Sequence, residues 1–514
     1  MVILKAQTMR DFDARAIASG LSGTTLMGRA CRGLAREFLW LTGRSGSVIF
    51  CVGPGNNGGD GLGMAMHLQE AGWHVRVRVA AERGRIRGDA AVFLQRAEAA
   101  GVPVAFFPEE QDWAVDAGDL PLVDWVVDAL LGTGVGGAPR GTPAAAIRWI
   151  GALARDARVL AVDVPSGLHA DTGKPISPDC CVRADVTLTL GAAKSGFAME
   201  GANVWTGSVG VIDLGFDRQE LAAHADMPWR VMFSGDAREG DLRRDPETHK
   251  GTYGHILVIG GSPGLTGAVS LCAQAALRMG AGLVTLWTPR SVAAGLDAAL
   301  PEVMLGYGPE DAEGYLCEPP PNPARYDAVV MGPGLGVTDG TRAVVRAVVA
   351  ACEVPLVVDA DALRMLAETD RPAFASAVVV LTPHPGEMAA LMGCDTATVQ
   401  ADRGGMCQEA AARYGAAVVL KGNRTRIAFP DGGAWLNLTG NAGMAVGGCG
   451  DVLAGMMGAC LVGMTDMAAD TEVAVARAVW WHGAAGDRAA LRIGQRGMGP
   501  VDLLTGLINA DLNP

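Results

Sequence analysis

Short valine-rich runs, each followed by a glycine-bearing turn and a helical stretch, recur along this 514-residue chain in two separate series. Such alternation admits few folds. A strand that returns to its sheet through a helix pairs parallel, so each series predicts a mainly parallel sheet covered on both faces, with ligands beyond the carboxyl ends of the strands. In the first series the runs are 48–52, 75–79, 123–128, 159–163, 186–190 and 209–214, with helices over 62–71 and 89–100 closed by Gly72 and Gly101. The second series has strands at 255–259, 283–288, 328–331, 356–359, 378–381 and 417–421, and an alanine-rich helix over 267–279. Between them the pattern lapses into a polar stretch, which places the boundary near 218–235 and two domains at 1–220 and 230–514.

Charged residues make up 19% and hydrophobic residues 49%, with 71 glycines, the composition of an α/β protein with many tight turns. A net charge of −13 excludes a general nucleic-acid binder, whose footprint is a basic face. The eleven cysteines lack metal-ligand spacing and are expected as small buried hydrophobes in a reducing compartment. The first residues reach charge too early for a signal peptide, and no apolar run is long enough to span a bilayer. A cytoplasmic homo-oligomer without membrane or nucleic-acid partners is expected.

Two glycine-rich segments carry an aspartate into an apolar helix: Gly53-Pro-Gly-Asn-Asn-Gly-Gly-Asp60-Gly61 and Gly447-Gly-Cys-Gly-Asp451. Glycine turns and helix N-termini suit phosphate groups. An aspartate opposes a bound anion, so it reads as a base, a ligand or a hydroxyl acceptor beside the phosphate; a simple helix cap is the alternative. In the first series Asp128-Ala-Leu-Leu-Gly132-Thr-Gly134, Asp163-Val-Pro-Ser166 and the segment ending in Lys194 all lie where strands end, so they converge on one cleft. Asn57, Asp128 and Ser166 offer hard oxygens with too little charge for a divalent cage, which fits a monovalent cation; shaping of turns by Asn57 and Ser166 is the alternative. In the second series the glycine nest before Asp451 supplies donors and a base for phosphoryl transfer. No Walker sequence is present, and Lys421-Gly-Asn-Arg-Thr425 supplies a cation and donors for a nucleotide phosphate. His384, between two prolines, reads either as structural or as a substrate binder.

These segments carry a resemblance. From Ile3 to about Phe216, GNNGGDGL, DALLGTG, DVPSGL and the opening Gln7-x-Met9-x-x-x-Asp13 resemble the NAD(P)H-hydrate epimerase family. From about Gly251 to Ile508, GPGLG, VVDADAL, LTPHPGE, LKGNRT and NAGMAVGGCGDVLAG resemble the ribokinase-like ADP-dependent NAD(P)H-hydrate dehydratases. The resemblance implies an N-terminal Rossmann-like three-layer domain and a C-terminal ribokinase-like α/β domain. In the first, the hydrated dinucleotide meets Asn56, Asn57, Gly58, Gly59 and Asp60, then Gly132, Thr133, Gly134, Val135, Gly136, Gly137 and Ala138, and also Asp163, while Asn57, Asp128 and Ser166 hold potassium. In the second, Ala268, Gly334, His384 and Asp451 meet the hydrated substrate, and Lys421, Gly422, Asn423, Arg424, Thr425 and Gly450 meet the adenine nucleotide with its magnesium.

The implied chemistry is nicotinamide nucleotide repair. The first site interconverts the R and S forms of hydrated NADH or NADPH, with Asp163 as acid/base. The second uses ADP to phosphorylate the hydroxyl of the S form, with Asp451 as base, because hydroxide itself leaves badly; AMP and phosphate are released. Two departures stand out. Gly28 occupies the place of a usual acidic residue after Leu26-Met27, and Cys449 replaces a usual threonine, so weaker nucleotide binding is expected from its poorer donor. The alternative is a vitamin-alcohol kinase joined to a protein-binding module, against which stand the intact Asn57, Asp128, Asp163 and Ser166.

Overall fold

The computed structural model describes all residues except 1, 43–45, 115–121, 135, 239–243, 370–371, 463–468 and 509–514. They form two compact units that divide at residues 239–240.

The first unit is built on seven parallel strands in the order Val104–Phe106, His74–Val79, Ser47–Val52, Trp125–Ala129, Arg158–Val162, Val186–Leu190, Ser208–Ile212. Its central strands are apolar on both faces because both faces are covered. Ile49 and Cys51 pack with Ile147 and Trp149 of the helix Thr142–Leu153, whereas Phe50 and Val52 lie under Gly61 of the helix Asn56–Glu70 on the other side. The chain winds outward from Ser47–Val52, then jumps to Trp125–Ala129 and winds the other way. At such a reversal the loops following the two strands diverge and open a crevice. A two-residue parallel ladder, Ile3–Leu4 on Ala193–Lys194, ties the start of the chain beside that crevice.

The glycine-rich segment differs from its expected form. Its residues 56–61 are the first turns of the helix Asn56–Glu70, which begins six residues before the expected start at 62. Glycine inside a helix costs roughly 0.5–1 kcal/mol, and here close packing requires it. A side chain on Gly58 would strike the Gly53 carbonyl, and one on Gly59 would strike Met27 and Ala90.

Among its described residues the second unit has nine strands in the order Met304–Gly308, Leu283–Pro289, His255–Ile259, Ala328–Met331, Leu356–Val358, Val379–Leu381, Ala417–Leu420, Arg426–Ala428, Ala434–Leu436. The first seven are parallel and the last two antiparallel. Leu257, Ile259, Val329 and Met331 pack against Val344 and Val348 of the helix Asp339–Ala351, while Ile256 and Val330 meet Gly458 of the helix Cys449–Cys460 on the opposite face. The reversal of strand order falls between His255–Ile259 and Ala328–Met331.

Residues 218–238, in the polar stretch where a boundary is expected, pack on the first unit. Arg238 pairs with the buried Glu37 at 2.6 Å, and the Lys5 N–H donates to Asp226 at 2.7 Å. Ending the chain at Phe216 would leave Glu37 buried without its cation, a change that costs about 3–5 kcal/mol in comparable pairs. None of the eleven cysteines is in a disulfide. Among the described residues no helix is long and apolar enough to cross a membrane.

Candidate active sites

At the reversal of the first sheet lies a cavity of about 480 Å³. Asn56, Asn57, Asp60, Gly132, Thr133, Gly134 and Asp163 line it, as do Asp13 and Lys194. Gly58 and Gly59, expected at the ligand, are not among its lining residues; they serve the packing of their helix. Gly136, Gly137 and Ala138 also lie outside the lining, and Val135 lies outside the described residues. Asp60 is not a helix cap: the N-cap is Gly55, and Asp60 sits in the second turn, almost wholly buried.

Asp163 follows the strand Arg158–Val162 with a left-handed backbone, φ 64°. Such a conformation in a non-glycine residue is uncommon and clusters at functional sites. Its Oδ1 accepts from the Lys194 ammonium at 2.6 Å, the Thr189 hydroxyl at 3.1 Å and the Leu190 N–H at 3.1 Å. Oδ2 takes no hydrogen bond from the described residues. One oxygen is thus anchored and the other is not. Lys194 is 1% exposed and also donates to the Leu190 and Ala192 carbonyls. Its role is invisible in the sequence, because the lysine reaches Asp163 only through the fold, 31 residues along the chain.

Asp128 is fully buried at the end of Trp125–Ala129. Its Oδ1 accepts from the Ser166 hydroxyl at 2.6 Å and its Oδ2 from the Ser166 N–H at 2.7 Å. Burial pushes its carboxyl up to about 6 against these hydrogen bonds. Asn57 donates to the Leu131 carbonyl at 3.2 Å, while its Oδ1 is buried without a partner. An orphaned buried acceptor is rare and calls for a donor or a cation. The Asn57 oxygen beside the Leu131 carbonyl, which also accepts from Ser166 at 3.4 Å, fits a weakly charged monovalent ion.

The second site assembles at five parallel strand ends. Ala268 and Gly334 come together: a side chain on Gly334 would touch the Ala268 Cβ at 3.2 Å, and the Gly334 carbonyl accepts from Ser262 at 2.9 Å. After Leu356–Val358, Asp359 is 1% exposed and takes Thr382 and Lys421, each at 2.7 Å, on Oδ1. Lys421 lies 3.7 Å from Glu387. Burial works against the Lys421 charge, but Asp359, Glu387 and Asp451 outweigh it and hold the ammonium above the usual lysine range. Burial pushes Glu387 up to about 7 despite Lys421. His384 is the N-cap of Pro385–Met392, its Nδ1 accepting from the Gly386 and Glu387 N–H groups at 3.0 and 3.2 Å. Its ring stays 56% exposed, so capping leaves its outer edge accessible.

Asp451 is the third residue of the helix Cys449–Cys460, whose N-cap is Gly448, so here too the capping alternative fails. Burial pushes its carboxyl up to about 6, with Asp359 adding to this and Lys421 opposing it. Gly450 meets the Lys421 ammonium, 3.4 Å from where a side chain would begin, which joins nest and cation into one site. His482, absent from the sequence expectations, donates from Nε2 to the Cys449 carbonyl at 2.8 Å. Asp487 accepts from the Gly440 N–H and the Asn441 amide at 2.8 and 3.0 Å. The helix Ala469–Ile493 therefore braces the nest. The Cys449 thiol, at 4% exposure of its residue, is an interior group.

The Lys421–Thr425 turn holds one side chain largely buried. Arg424, 8% exposed with φ 56°, turns inward and donates to the Leu438 carbonyl at 3.1 Å. Lys421 faces the nest at Gly450. Arg403 pins the turn from outside through the carbonyls of Leu420, Lys421 and Asn423. Among the described residues no group of three His, Cys, Asp or Glu side chains is placed to hold a metal ion.

Two parallel-sheet units, one with a carboxylate-lined crevice and one with a lysine and a glycine nest around a carboxylate, define a two-site α/β enzyme. Family models agree with that division: the YjeF-related protein N-terminus matches residues 23–196 and NAD(P)H-hydrate dehydratase matches 256–509. A bifunctional NAD(P)H-hydrate repair enzyme of Moorella thermoacetica is 41% identical over 93% of this chain and 89% of its own, and one of Coxiella burnetii is 34% identical over 98% of each. A Bacillus subtilis ADP/ATP-dependent NAD(P)H-hydrate dehydratase, crystallised with ATP and magnesium, is 35% identical with a TM-score of 0.45, covering 52% of this chain and 92% of its own. The chain belongs to the family of bifunctional NAD(P)H-hydrate repair enzymes.

Proposed function

We propose that the first unit interconverts the R and S forms of hydrated NADH and NADPH, and that the second dehydrates the S form with ADP, releasing AMP and phosphate. The observation that carries the first half is Asp163, with one oxygen anchored by Lys194 and the other unbonded at the cavity. The second half is carried by Asp451 beside Lys421 at the start of a helix. In the dehydratase, Asp451 takes the substrate hydroxyl proton as that oxygen attacks the β-phosphorus of ADP, and AMP leaves. The C–O bond of the resulting ester then breaks with loss of a proton from the neighbouring ring carbon, giving phosphate and NAD(P)H. Lys421, Gly422, Asn423, Thr425 and Gly450 are assigned to the nucleotide, Arg424 through its backbone alone. Ala268, Gly334 and His384 are assigned to the hydrated substrate. Magnesium enters with the nucleotide and neutralises phosphate charge.

Potassium is assigned to Asn57, Asp128 and Ser166, with the orphaned Asn57 oxygen as the supporting observation; when bound it orders the loop that holds the dinucleotide. Replacing potassium by lithium is expected to slow epimerisation and spare dehydration. Equal epimerisation rates in the two salts would remove the cation from the site.

The deciding experiment mixes both epimers of hydrated NADH with the full-length protein and ADP, then ATP, and follows NADH absorbance. Recovery with ADP is the expected result. Absence of NADH with either nucleotide, together with phosphorylation of a vitamin alcohol, would replace this reading by that of a small-molecule kinase.

A further inference from the structure

We propose that Asp13 is a second proton-transfer residue of the epimerase, exchanging a proton with the ring nitrogen while Asp163 exchanges one with the hydroxyl. The inference rests on the epimerase reading above. Asp13 lines the same cavity as Asp60, Asp163 and Lys194, and its Oδ1 is buried with no hydrogen-bond partner. Its position is set by the fold. The Ile3–Leu4 strand pairs with Ala193–Lys194, in register Leu4 to Lys194, and the helix Ala6–Ala18 starts directly after it. The Ala6 N–H is held by Asp171 at 2.7 Å, and Arg10 of that helix donates to the Thr133 carbonyl at 2.8 Å. One short ladder thus places both the lysine that anchors Asp163 and the helix that carries Asp13.

The chemistry needs two proton carriers. The reacting carbon bears a hydroxyl and is bonded to the ring nitrogen. When the Asp163 carboxylate removes the hydroxyl proton, the C–O bond becomes a carbonyl and the C–N bond breaks, its electron pair going to nitrogen. The Asp13 carboxylic acid protonates that nitrogen. After rotation about the adjacent C–C bond, Asp13 takes the N–H proton back, nitrogen attacks the opposite face of the carbonyl, and Asp163 returns its proton to oxygen. Both groups end as they began, without a redox partner.

The charges in the cavity support this division. Four carboxyls, Asp13, Asp60, Asp89 and Asp163, line the cavity with two cations, Lys194 and Arg10. They cannot all be ionised at low cost. Burial pushes Asp13 up to about 6, with Lys194 opposing and Asp163 adding. Burial, with Asp163 and Asp13 adding to it, holds the Asp60 carboxyl well above the usual carboxylate range.

The test follows nucleotide-free epimerisation of purified hydrated NADH by the full-length protein across pH. For Asp13→Asn we expect kcat to fall about 10²-fold or more with little change in KM. The decline of wild-type kcat/KM above about pH 6, where Asp13 loses its proton, should vanish from the residual rate. Asp13→Glu should recover part of kcat and restore the decline. An asparagine variant within about threefold of wild type, or slow variants of both kinds that keep the wild-type profile, would overturn the role. If the wild-type protein itself does not epimerise, the functional reading fails instead, a separate result.

Discussion

Changing Asp451 to asparagine is expected to lower ADP-driven dehydration by about 10²- to 10⁴-fold, the usual loss with a general base, and to leave epimerisation at the wild-type rate. The substitution keeps shape and volume. Because Gly448 rather than Asp451 caps the helix Cys449–Cys460, no helix cap is lost with the carboxylate. Lys421 retains its 2.7 Å partner Asp359, so the nearby cation stays paired. The pH dependence gives a second check. Asp451 must be ionised to accept a proton, and burial pushes its carboxyl up to about 6; wild-type dehydration should therefore fall as pH drops through about 6 and recover above it. Single-turnover dehydration of the S form at several pH values measures both effects. Near-normal dehydration by the variant would reduce Asp451 to a structural residue.

Asp163→Asn in the full-length protein should stop epimerisation while ADP still drives dehydration. From a mixed pool of hydrates, recovery of NADH should halt near the fraction already in the S form, apart from slow spontaneous interconversion. The reason is local: asparagine keeps the acceptor oxygen for the Thr189 hydroxyl and the Leu190 N–H, but it cannot take the hydroxyl proton. It also removes the partner charge of Lys194, which is 1% exposed. Breaking such a buried pair costs about 3–5 kcal/mol, so thermal unfolding of the variant belongs beside the assay. Lys194→Met in the same background removes the stranded cation and should recover part of that stability without recovering epimerisation. Rapid, complete recovery of NADH by the Asp163→Asn protein would take the acid/base role away from Asp163.

The two series of parallel strands were legible because each buried strand is a short apolar run. Val186–Leu190, His255–Ile259 and Ala328–Met331 fall where periodicity places them. Val104–Phe106 and Met304–Gly308 escaped notice because they are partly exposed edge strands without an unbroken apolar pattern. The antiparallel pair Arg426–Ala428 and Ala434–Leu436 escaped because three residues carry too little period to count. Asp128, Asp163, Lys421 and Asp451 stood out because they directly follow or end strands, or open a helix after glycine, and chain direction alone brings strand ends to one edge of a sheet.

What the sequence determined by itself was therefore the pair of parallel sheets, the edge of each where chemistry gathers, and the residue types delivered there. Only the tertiary structure decided the partners: Lys194 on Asp163, Asp13 beside them, Asp359 on Lys421, His482 under the Cys449 carbonyl, and Arg424 on the Leu438 carbonyl. It also showed why Gly58 and Gly59 must be glycine: neighbouring atoms leave no room for a side chain. The physical reason is one of range. Periodicity and turn chemistry act over a few neighbouring residues, whereas an ion pair in a cavity, or a glycine demanded by a neighbouring helix, depends on atoms brought close only when distant segments pack.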